Sequence, residues 1–438
     1  MKIAWVTPFS HRSAIGRVSA VVTRALSDHS HEVVIIRSER DRNDAAPTHP
    51  TLLPLMWWHD ISLDDLELSN DVIVLNFGDN YDFHAGTIYY AFRGKNIGIF
   101  HDFYVYNLFN RWVVHNGFDE QMHNEEIRFT YGEDVSRLAK AAWNNDAGIE
   151  QIAEAFPMIE WLARCCGAAL AHSRFYVSRL RRSCPGPTAV APLCFESRKV
   201  EPLPIRHNDS VTITTVGIIN PNKCSDAIIK SIASSSRLRR YCRFRLVGAI
   251  SDTEASRLRA LCNEVGFNNL DIVGSVDDRT LVTELERADV LTCLRNPVLE
   301  GGSASAIEGM KSGRPVIVAD AGFYADLPGD IVFKIPRSID IPVLTEVLER
   351  LASNERLRRE TGARARDWAS RTFSVESYLD VLEPLMEQFI RVKPLLAVGE
   401  RVGQQLTAIG ATAGDPAIDI LAKKMQELFS VTPTEPDV

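Results

Sequence analysis

The alternation of short apolar strands with helical segments constrains the fold of this chain more than any other feature. In the first part of the chain, apolar runs predict strands, and apolar residues at helical spacing predict helices. The predicted strands are Lys2–Thr7, Glu32–Ile36, Asp71–Asn76, Asn96–Phe100 and Ala168–Ala171, and the predicted helices are Arg17–Ser27 and His84–Phe92. Strands that are apolar throughout, with helices between them, indicate a parallel sheet covered on both faces.

A second series of the same kind follows residue 210. Its predicted strands are Val211–Val216, Phe244–Val247, Asp271–Val273, Val290–Leu294 and Val316–Ala319, and its predicted helices lie near Ser225–Ser235, Thr253–Val265, Thr280–Arg287 and Ser305–Lys311. We therefore predict an α/β fold with two Rossmann-like, doubly wound parallel-sheet domains that face a central cleft. Ligands of open parallel sheets bind beyond the carboxyl ends of the strands, so loops of both domains should line this cleft.

Breaks in the pattern predict the domain organisation. A polar helical stretch at about 118–165 indicates an insertion, and the prolines between Pro185 and Asp209 are typical of a linker. The predicted parts are an N-terminal domain (1–205), a C-terminal domain (206–371), a helix that crosses back to the first domain (372–390) and a helical tail with a disordered end (391–438).

The composition argues against several classes of protein. The 438 residues carry 49 Lys and Arg against 57 Asp and Glu, a net charge of −8, which disfavours a nucleic-acid protein that depends on phosphate contacts. No apolar run approaches the roughly 18 residues of a membrane span, and the first strand is too short for a secretory signal. The 8 cysteines show neither Cys-x-x-Cys nor zinc spacing, which favours reduced thiols and a cytoplasmic protein.

The segment from Glu300 to Glu308 joins a predicted strand to a predicted helix. Gly301 and Gly302 let backbone approach a ligand closely, and Ser303 can cap the helix. The free N–H groups at a helix start favour an anion such as a diphosphate. Glu308, one to two turns into the helix, can accept two hydrogen bonds from a ribose, and Glu300 can meet sugar hydroxyls. Two isolated glutamates would more often be solvated surface charges, but the complete strand–loop–helix context favours a ligand site.

A similar loop runs from Thr215 to Cys224, and it also follows a strand and precedes a helix. Gly217 stands in this loop, and Lys223 is placed to offer a point positive charge to a phosphate at the same edge of the cleft. On the sequence alone, a solvated lysine at a helix start is an equally good interpretation.

The first domain offers weaker signals. The loop from Pro8 to Gly16 connects a strand end to a helix, so Gly16 can bring backbone amides near a ligand. His101 and Asp102 directly follow a strand: His101 can donate to a sugar hydroxyl, and Asp102 can orient it or accept a proton. Capping is the competing interpretation for this pair. No metal-ligand cluster, Walker-type loop or Gly-x-Ser-x-Gly motif occurs, so neither a metal nor a resident cofactor is predicted.

At this point the residues resemble a known family, the family 4 retaining glycosyltransferases of the GT-B fold. Glu300 to Glu308 has the Glu-x7-Glu spacing of that family. The wider run is similar to a bacterial branch of rhamnosyl- or mannosyltransferase-like enzymes associated with surface polysaccharides. Segments similar to that branch are Gly78–His84, His101–Phe103, Tyr131–Glu133, His172–Ser173, Leu294–Pro297, Gly313–Pro315 and Ala325–Pro328. The resemblance covers about residues 1–390 and is strongest at 286–336.

The resemblance implies a role for each matched position. Glu308 would hold the nucleotide ribose, Glu300 would contact the transferred sugar, and Lys223 would neutralise the diphosphate. Backbone of Gly301, Gly302 and Ser303 would meet the diphosphate or the sugar. His101 would stand near the reacting sugar, and Val273–Asp278 would supply backbone to the base.

This chain departs from the family pattern in three places. Many members have arginine directly after the glycine that matches Gly217, where this chain has Ile218, and Arg295 is a conceivable substitute. Cys224 replaces a common glycine. The branch often has Gly-Glu-Thr-Ser where this chain has Glu300-Gly-Gly-Ser303. Glu300 therefore matches the pattern of the branch less well than Glu308 does.

The resemblance implies sugar transfer from a nucleotide-diphosphate sugar to a glycan, lipid-linked or small-molecule hydroxyl acceptor, with retention of configuration and without a metal. Two alternatives stay open: a nucleotide-sugar epimerase or phosphorylase on the same fold, and a non-catalytic nucleotide-sugar-binding or assembly subunit. Peripheral contact with the inner face of a membrane and homo-oligomer contacts through the 391–438 tail are further hypotheses.

Overall fold

The structure of the protein is a computed structural model, which describes residues 1–42, 47–196, 210–411 and 415–428. The end of the predicted linker, the predicted boundary at 205/206 and the predicted disordered end lie outside the described residues.

The first domain is built on a parallel sheet with helices on both faces. Its strands are β1 (Lys2–Thr7), β2 (Glu32–Arg37), β3 (Leu55–Trp57), β4 (Val72–Phe77), β5 (Ile97–Phe100), β6 (Ala168–Ala171) and β7 (Thr188–Val190). Within the described ranges they follow the order β3-β2-β1-β4-β5-β6-β7. Its helices are α1 (Ala14–Asp28), α2 (Leu63–Ser69), α3 (Tyr81–Ala91), α4 (Tyr106–His115), α5 (Glu120–Tyr131), α6 (Ser136–Trp143), α7 (Ile149–Ala155), α8 (Ile159–Ala163) and α9 (Arg174–Ser183).

Helices α4 to α8 form a helical block between β5 and β6, where the sequence predicts an insertion. Aromatic side chains fill its interior, since Phe109 packs edge-on against Trp161 at 4.9 Å and stacks on His123 at 5.3 Å between ring centroids. The helical block begins at Tyr106, twelve residues before the predicted start of the insertion.

The second domain repeats the arrangement. Its strands are β8 (Val211–Val216), β9 (Cys242–Val247), β10 (Leu270–Gly274), β11 (Val290–Cys293), β12 (Val316–Ala319) and β13 (Phe333–Ile335). They are parallel and ordered β10-β9-β8-β11-β12-β13 in the described part of the chain. Its helices are α10 (Ser225–Ser234), α11 (Ser236–Tyr241), α12 (Asp252–Val265), α13 (Asp278–Arg287), α14 (Ala304–Lys311), α15 (Ile341–Ser353) and α16 (Glu355–Thr372).

A long helix, α17 (Val375–Ala408), leaves the second domain and packs against α1, β6 and β7 of the first. Its inward face buries Tyr378, Leu382, Met386 and Phe389. The sequence places the end of the crossing helix at 390, but α17 continues through that position to Ala408. A last helix, α18 (Pro416–Leu428), follows. In the described ranges no helix is both long and apolar enough to span a membrane.

The two domains touch at the carboxyl ends of their strands. The backbone N–H groups of Phe103 and Tyr104 donate to Leu299 O at 2.9 and 3.0 Å, and the Gly301 N–H donates to His101 O at 2.9 Å. The loop after β5 therefore lies directly against the loop after β11, as expected for two sheets that face one cleft.

Candidate active site

The loop between β11 and α14 carries the two glutamates of the Glu-x7-Glu pattern. Ser303 is the N-cap of α14, since its Oγ accepts a hydrogen bond from Ala306 N at 3.4 Å. Glu308 lies in the second turn of α14 and is buried. The helix start therefore stands at the cleft edge, with one glutamate before it and one inside it.

Glu300 is held by two side chains of its own domain. The Arg295 guanidinium pairs with Glu300 Oε1 at 3.1 Å, and the Tyr324 hydroxyl lies 2.6 Å from the same oxygen. Arg295 belongs to the same loop, whereas Tyr324 comes from the 3-10 helix Gly322–Asp326 after β12. The sequence does not predict Tyr324 as a site residue; only the neighbouring Ala325–Pro328 segment carries the family resemblance.

Lys223 lies at the end of the 3-10 helix Pro221–Lys223, after β8. Its ammonium donates to the carbonyl of Val216, and the residue is only 6% exposed. Gly217 has a φ of +95°, and a Cβ there would lie 2.8 Å from Lys223 Nζ. The glycine thus permits both the turn and the passage of the lysine side chain. Cys224, where the family commonly has glycine, has a left-handed φ of 54°.

Burial lowers the pKa of Lys223 to about 7, and the nearby Arg295 guanidinium adds to the effect. Arg295 is therefore close enough to Lys223 to shape the field of the same cleft edge. Ile218, at the position where the family often has arginine, is 69% exposed and brings no charge.

His101 faces protein with both ring nitrogens. Its Nε2 lies 2.9 Å from Asn76 Oδ1, and its Nδ1 lies 3.1 Å from Nε2 of His172. Burial lowers the pKa of His101 well below its usual value, and the neighbouring His172 and His84 act in the same direction. The predicted hydrogen bond from His101 to a sugar hydroxyl would require one of the two ring contacts to open.

Asp102 meets the opposite domain at this point. It forms an antiparallel bridge with Glu300, and its Oδ2 accepts a hydrogen bond from Asp79 N at 3.0 Å. Burial raises the pKa of Asp102 to about 7, and the Glu300 charge adds to the rise although the Asp79 hydrogen bond opposes it. The carboxyl group therefore sits between its acid and base forms near neutral pH.

The glycines after Glu300 serve the contact between domains. A Cβ on Gly301 would lie 2.5 Å from the Tyr176 hydroxyl, and one on Gly302 would lie 3.2 Å from His172 Cβ. The Gly301 N–H, predicted to meet a diphosphate, instead donates to His101 O in this structure. This amide is therefore hydrogen-bonded to the first domain.

Gly16 is also engaged within the protein. Its own N–H donates to the N-cap Ser13 Oγ at 3.0 Å. That other backbone amides of this loop lie near a ligand stays a prediction. A Cβ at Gly16 would lie 2.5 Å from Pro8 O, which gives the glycine a packing role. The next residue, Arg17, pairs with Asp278 of the second domain at 3.2 Å. The start of α1 thus faces the predicted base-binding segment Val273–Asp278.

The structure therefore gathers most of the predicted site at one junction. Arg295, Glu300 and Ser303 share a network, Lys223 lies beside Arg295, and Asp102 bridges to Glu300 from the first domain. In the part of the chain that the structure describes, no three His, Cys, Asp or Glu side chains lie together so that they could hold a metal ion.

Residues 198–368 match the family model described as Glycosyl transferases group 1. Solved structures with a similar fold cover most of this chain. Sucrose-phosphate synthase from Thermosynechococcus elongatus is 16% identical over 91% of this chain and 100% of its own, with a TM-score of 0.58. The chain has the GT-B fold, and its residues 198–368 match the group 1 model.

Two further structures have the same fold. TarM is 10% identical over 88% of this chain and 98% of its own, with a TM-score of 0.60. Anabaena HepE in complex with UDP-glucose is 12% identical over 90% of this chain and 99% of its own, with a TM-score of 0.54. No curated protein sequence matches the chain. At these identities the likeness shows the fold alone.

Proposed function

We propose that this protein transfers a sugar from a nucleotide-diphosphate sugar to a hydroxyl acceptor with retention of anomeric configuration. One observation carries the proposal: Lys223, Arg295 and the capped start of α14 converge on one edge of the cleft, opposite Asp102 of the first domain. Two cations and a helix N-terminus form an environment that suits a diphosphate.

The donor would lie against the second domain. The group 1 match spans Lys223, Arg295, Glu300 and Glu308, and HepE, with the same fold, was crystallised with UDP-glucose. By the family resemblance, Glu308 holds the ribose and Glu300 contacts the sugar. The base and the sugar are not fixed by these residues, so uridine, guanosine and thymidine diphosphate sugars are all candidates.

Stabilisation of the departing diphosphate would be the main catalytic task. Lys223 and the α14 N-terminus would supply preorganised positive charge there, so the proposed reaction requires no metal. Because the buried amine has a pKa of about 7, an arriving diphosphate would raise that pKa and draw a proton onto the amine. The charge would then be complete when the donor is bound.

Asp102 is the first-domain group best suited to handle the acceptor proton. A base is most effective when its pKa lies near the working pH, and burial brings Asp102 to about 7. The interdomain contacts at Leu299 and Gly301 would exclude water from the junction and limit donor hydrolysis. A front-face reaction, in which the leaving phosphate helps to deprotonate the acceptor, follows from the family resemblance.

The acceptor would be chosen by the first domain. We expect its loops and the helical block of α4 to α8 to contact the acceptor, because α4 begins just after Phe103 and Tyr104, which contact Leu299 of the second domain. Three further parts of the proposal come from the resemblance. The acceptor would be a glycan, lipid-linked or small-molecule hydroxyl compound in polysaccharide biosynthesis. The protein would be cytoplasmic and would contact the inner face of a membrane peripherally.

The test is transfer itself. The full chain is incubated with UDP-glucose, GDP-mannose or dTDP-rhamnose and a panel of acceptors in the presence of EDTA, and products are followed by proton NMR, which also reports the anomeric configuration. We expect one donor to give a retained product, and Lys223→Ala to lose at least about 100-fold in kcat while folding normally, since it removes one preorganised charge. Isomerised donor, phosphorolysis of glycan, or tight donor binding without turnover would contradict the proposal and favour the alternatives.

A further inference from the structure

Tyr324 connects parts of the site that the sequence does not join. It lies in the 3-10 helix Gly322–Asp326 after β12 and is 0% exposed. Its ring packs edge-on against Phe323 at 5.4 Å, within the core beneath α14. A fully buried phenol needs a hydrogen-bond partner, and Tyr324 has two.

The direction of these hydrogen bonds follows from proton counting. Tyr324 Oη lies 2.6 Å from Glu300 Oε1 and 2.9 Å from Ser303 Oγ. An ionised carboxylate only accepts, so the single phenol proton goes to Glu300. The Ser303 hydroxyl then donates to the phenol oxygen, while its own oxygen accepts from the backbone of α14. The helix cap and the carboxylate are thereby joined through one phenol.

Arg295 and Ser305 close this chain into a ring. The Arg295 guanidinium forms an ion pair with Glu300 Oε1 at 3.1 Å and donates a hydrogen bond to Ser305 Oγ at 3.3 Å. Ser305 Oγ lies 3.4 Å from Ser303 Oγ. Two side chains, Arg295 through an ion pair and Tyr324 through a hydrogen bond, thus hold the same oxygen of the Glu300 carboxylate.

The segment that carries Tyr324 also contacts the first domain. Asp326 Oδ2 accepts a hydrogen bond from Arg174 N at 2.5 Å, at the start of α9. The same short helix thus touches Glu300 through Tyr324 and the opposite domain through Asp326. Its position would change if the domains separated.

We propose that Tyr324 is a positioning residue that aims the Glu300 carboxylate at the transferred sugar of the donor when the two domains are in contact. The inference rests on the proposed function, because it takes the donor to be a nucleotide sugar. It goes further by assigning to Tyr324 the recognition of the sugar portion, as distinct from the nucleotide. Loss of the phenol should therefore weaken binding of the sugar nucleotide but not of the nucleoside diphosphate.

Tyr324→Phe removes the hydroxyl and keeps the ring in the core. The matched control is Tyr378→Phe: Tyr378 is also 0% exposed, and within the described residues its hydroxyl has no hydrogen-bond partner. Both variants lose the same atom from a buried ring, and only one of them loses a contact with Glu300. Glu300→Gln, which keeps the side-chain shape, provides a second variant that removes the charge from the other end of the bond.

The experiment measures two affinities by calorimetry on the full-length chain. The probes are UDP with UDP-glucose, GDP with GDP-mannose and dTDP with dTDP-glucose, of which the pair that most stabilises the wild type against heat is used. We expect Tyr324→Phe to weaken binding of the sugar nucleotide by about 10-fold or more, the loss of one hydrogen bond to a charge, and to change nucleoside diphosphate affinity by less than about 2-fold. Tyr378→Phe should change neither affinity.

Glu300→Gln should show the same selective loss, and adding Tyr324→Phe to it should cost little more, since the two residues act as a pair. Unchanged affinities in Tyr324→Phe, or an equal fall for both ligands, would overturn the inference. A wild type that binds none of the six probes would instead overturn the proposed function, and the inference with it.

Discussion

Two buried groups of the candidate site, Lys223 and Asp102, change charge near neutral pH. Burial lowers the pKa of Lys223 from its usual 10.5 to about 7, so above about pH 7 the amine is largely neutral in the unliganded protein. A diphosphate within reach favours the charged form. We predict that nucleoside diphosphate binding at about pH 8 takes up close to one proton. Calorimetry in buffers of different ionisation enthalpy measures this uptake.

The variant that tests this prediction is Lys223→Met, which should bind more weakly and take up no proton. Lys230→Met is the control, because Lys230 is an exposed residue of α10 paired only at 3.9 Å with Asp226. It should retain the full uptake. A binding enthalpy of the wild type that does not depend on the buffer would show that Lys223 does not change charge when the diphosphate binds.

The raised pKa of Asp102 predicts that its contribution to the free energy of unfolding falls as the pH rises. Its pKa is raised from 3.8 to about 7, so its protonated form is favoured by folding. Its contribution to stability is complete below the unfolded pKa and is lost as pH rises through about 7. Asp102→Asn removes this titration. We therefore expect the free energy of unfolding of Asp102→Asn, relative to wild type, to improve steadily between about pH 4 and pH 7 in urea titrations. A constant difference would contradict the shift.

The site residues that could be predicted from the sequence are charged and lie in loops after apolar strands, whereas those that could not be predicted are brought together only by the fold. Lys223 and Glu300 are charged residues in loops after apolar strands, which is a pattern visible in the sequence. Tyr324 and His172 reach the site only because strands distant in sequence are adjacent in the sheets. A buried tyrosine in a sequence is indistinguishable from a core residue until its hydroxyl partner is known.

At the scale of elements, α14 links the donor side of the cleft to both crossings between the domains. Lys311, its last residue, donates through Nζ to Phe195 O at 2.5 Å and to Phe373 O at 2.9 Å. Phe195 lies where the described chain leaves the first domain, and Phe373 lies just before α17. The Phe195 N–H also donates to Phe373 O at 3.2 Å. The helix that begins at the candidate site therefore ends at Phe195 and Phe373, where the chain passes between the domains. We call these two residues the hinge.

We predict that Lys311→Met lowers the free energy of unfolding by about 2 kcal/mol, because two buried carbonyls lose a charged donor while the aliphatic stem is kept. Urea unfolding followed by circular dichroism measures the change. Lys230→Met again serves as the control, with an expected change below about 0.5 kcal/mol. Equal stability of Lys311→Met and wild type would show that the hinge carbonyls do not depend on the lysine.

Predicted and observed elements differ where strands are short. The predicted strand Lys2–Thr7 coincides with β1 and Val211–Val216 coincides with β8. The strands β3, β7 and β13, of three residues each, were missed because so few residues give no periodic signal. β7 also lies inside the proline-rich stretch interpreted as a linker, and as an edge strand it tolerates prolines on either side.

At the scale of the whole molecule, α17 has a dual character. Up to Phe389 it is part of the first-domain core, whereas farther along Val398 is 44% and Ile409 is 80% exposed. We predict that a chain ending at residue 408 keeps the unfolding midpoint of the full chain, because the residues beyond 408 that the structure describes include no buried side chain. Removal of everything after residue 374 should destabilise the first domain. Thermal unfolding of both shortened chains tests this difference.

The same shortened chain tests the hypothesis that the tail mediates oligomers. If contacts between copies need residues 409–438 of the tail, ending the chain at residue 408 should lower the number of chains per particle, as measured by light scattering. An unchanged mass would count against a role for residues 409–438 in assembly.

The two Rossmann-like domains could be predicted from the sequence because each domain repeats strand and helix patterns that are local in the chain, and the family resemblance added the name of the GT-B fold. The arrangement of the cleft could not be predicted. Three contacts between the domains join residues more than 120 positions apart: the Asp102–Glu300 bridge, the hydrogen bond from Gly301 N to His101 O, and the hydrogen bond from Arg174 N to Asp326. No spacing rule within the sequence predicts such pairs. The hydrogen bond between the Gly301 amide and the first domain could therefore not be predicted.

A crystal structure of the full chain with the nucleoside diphosphate, among UDP, GDP and dTDP, that most stabilises the protein would locate the donor site. We predict the diphosphate within about 3.5 Å of Lys223 Nζ and of backbone at the start of α14. A diphosphate bound away from both groups would contradict this prediction.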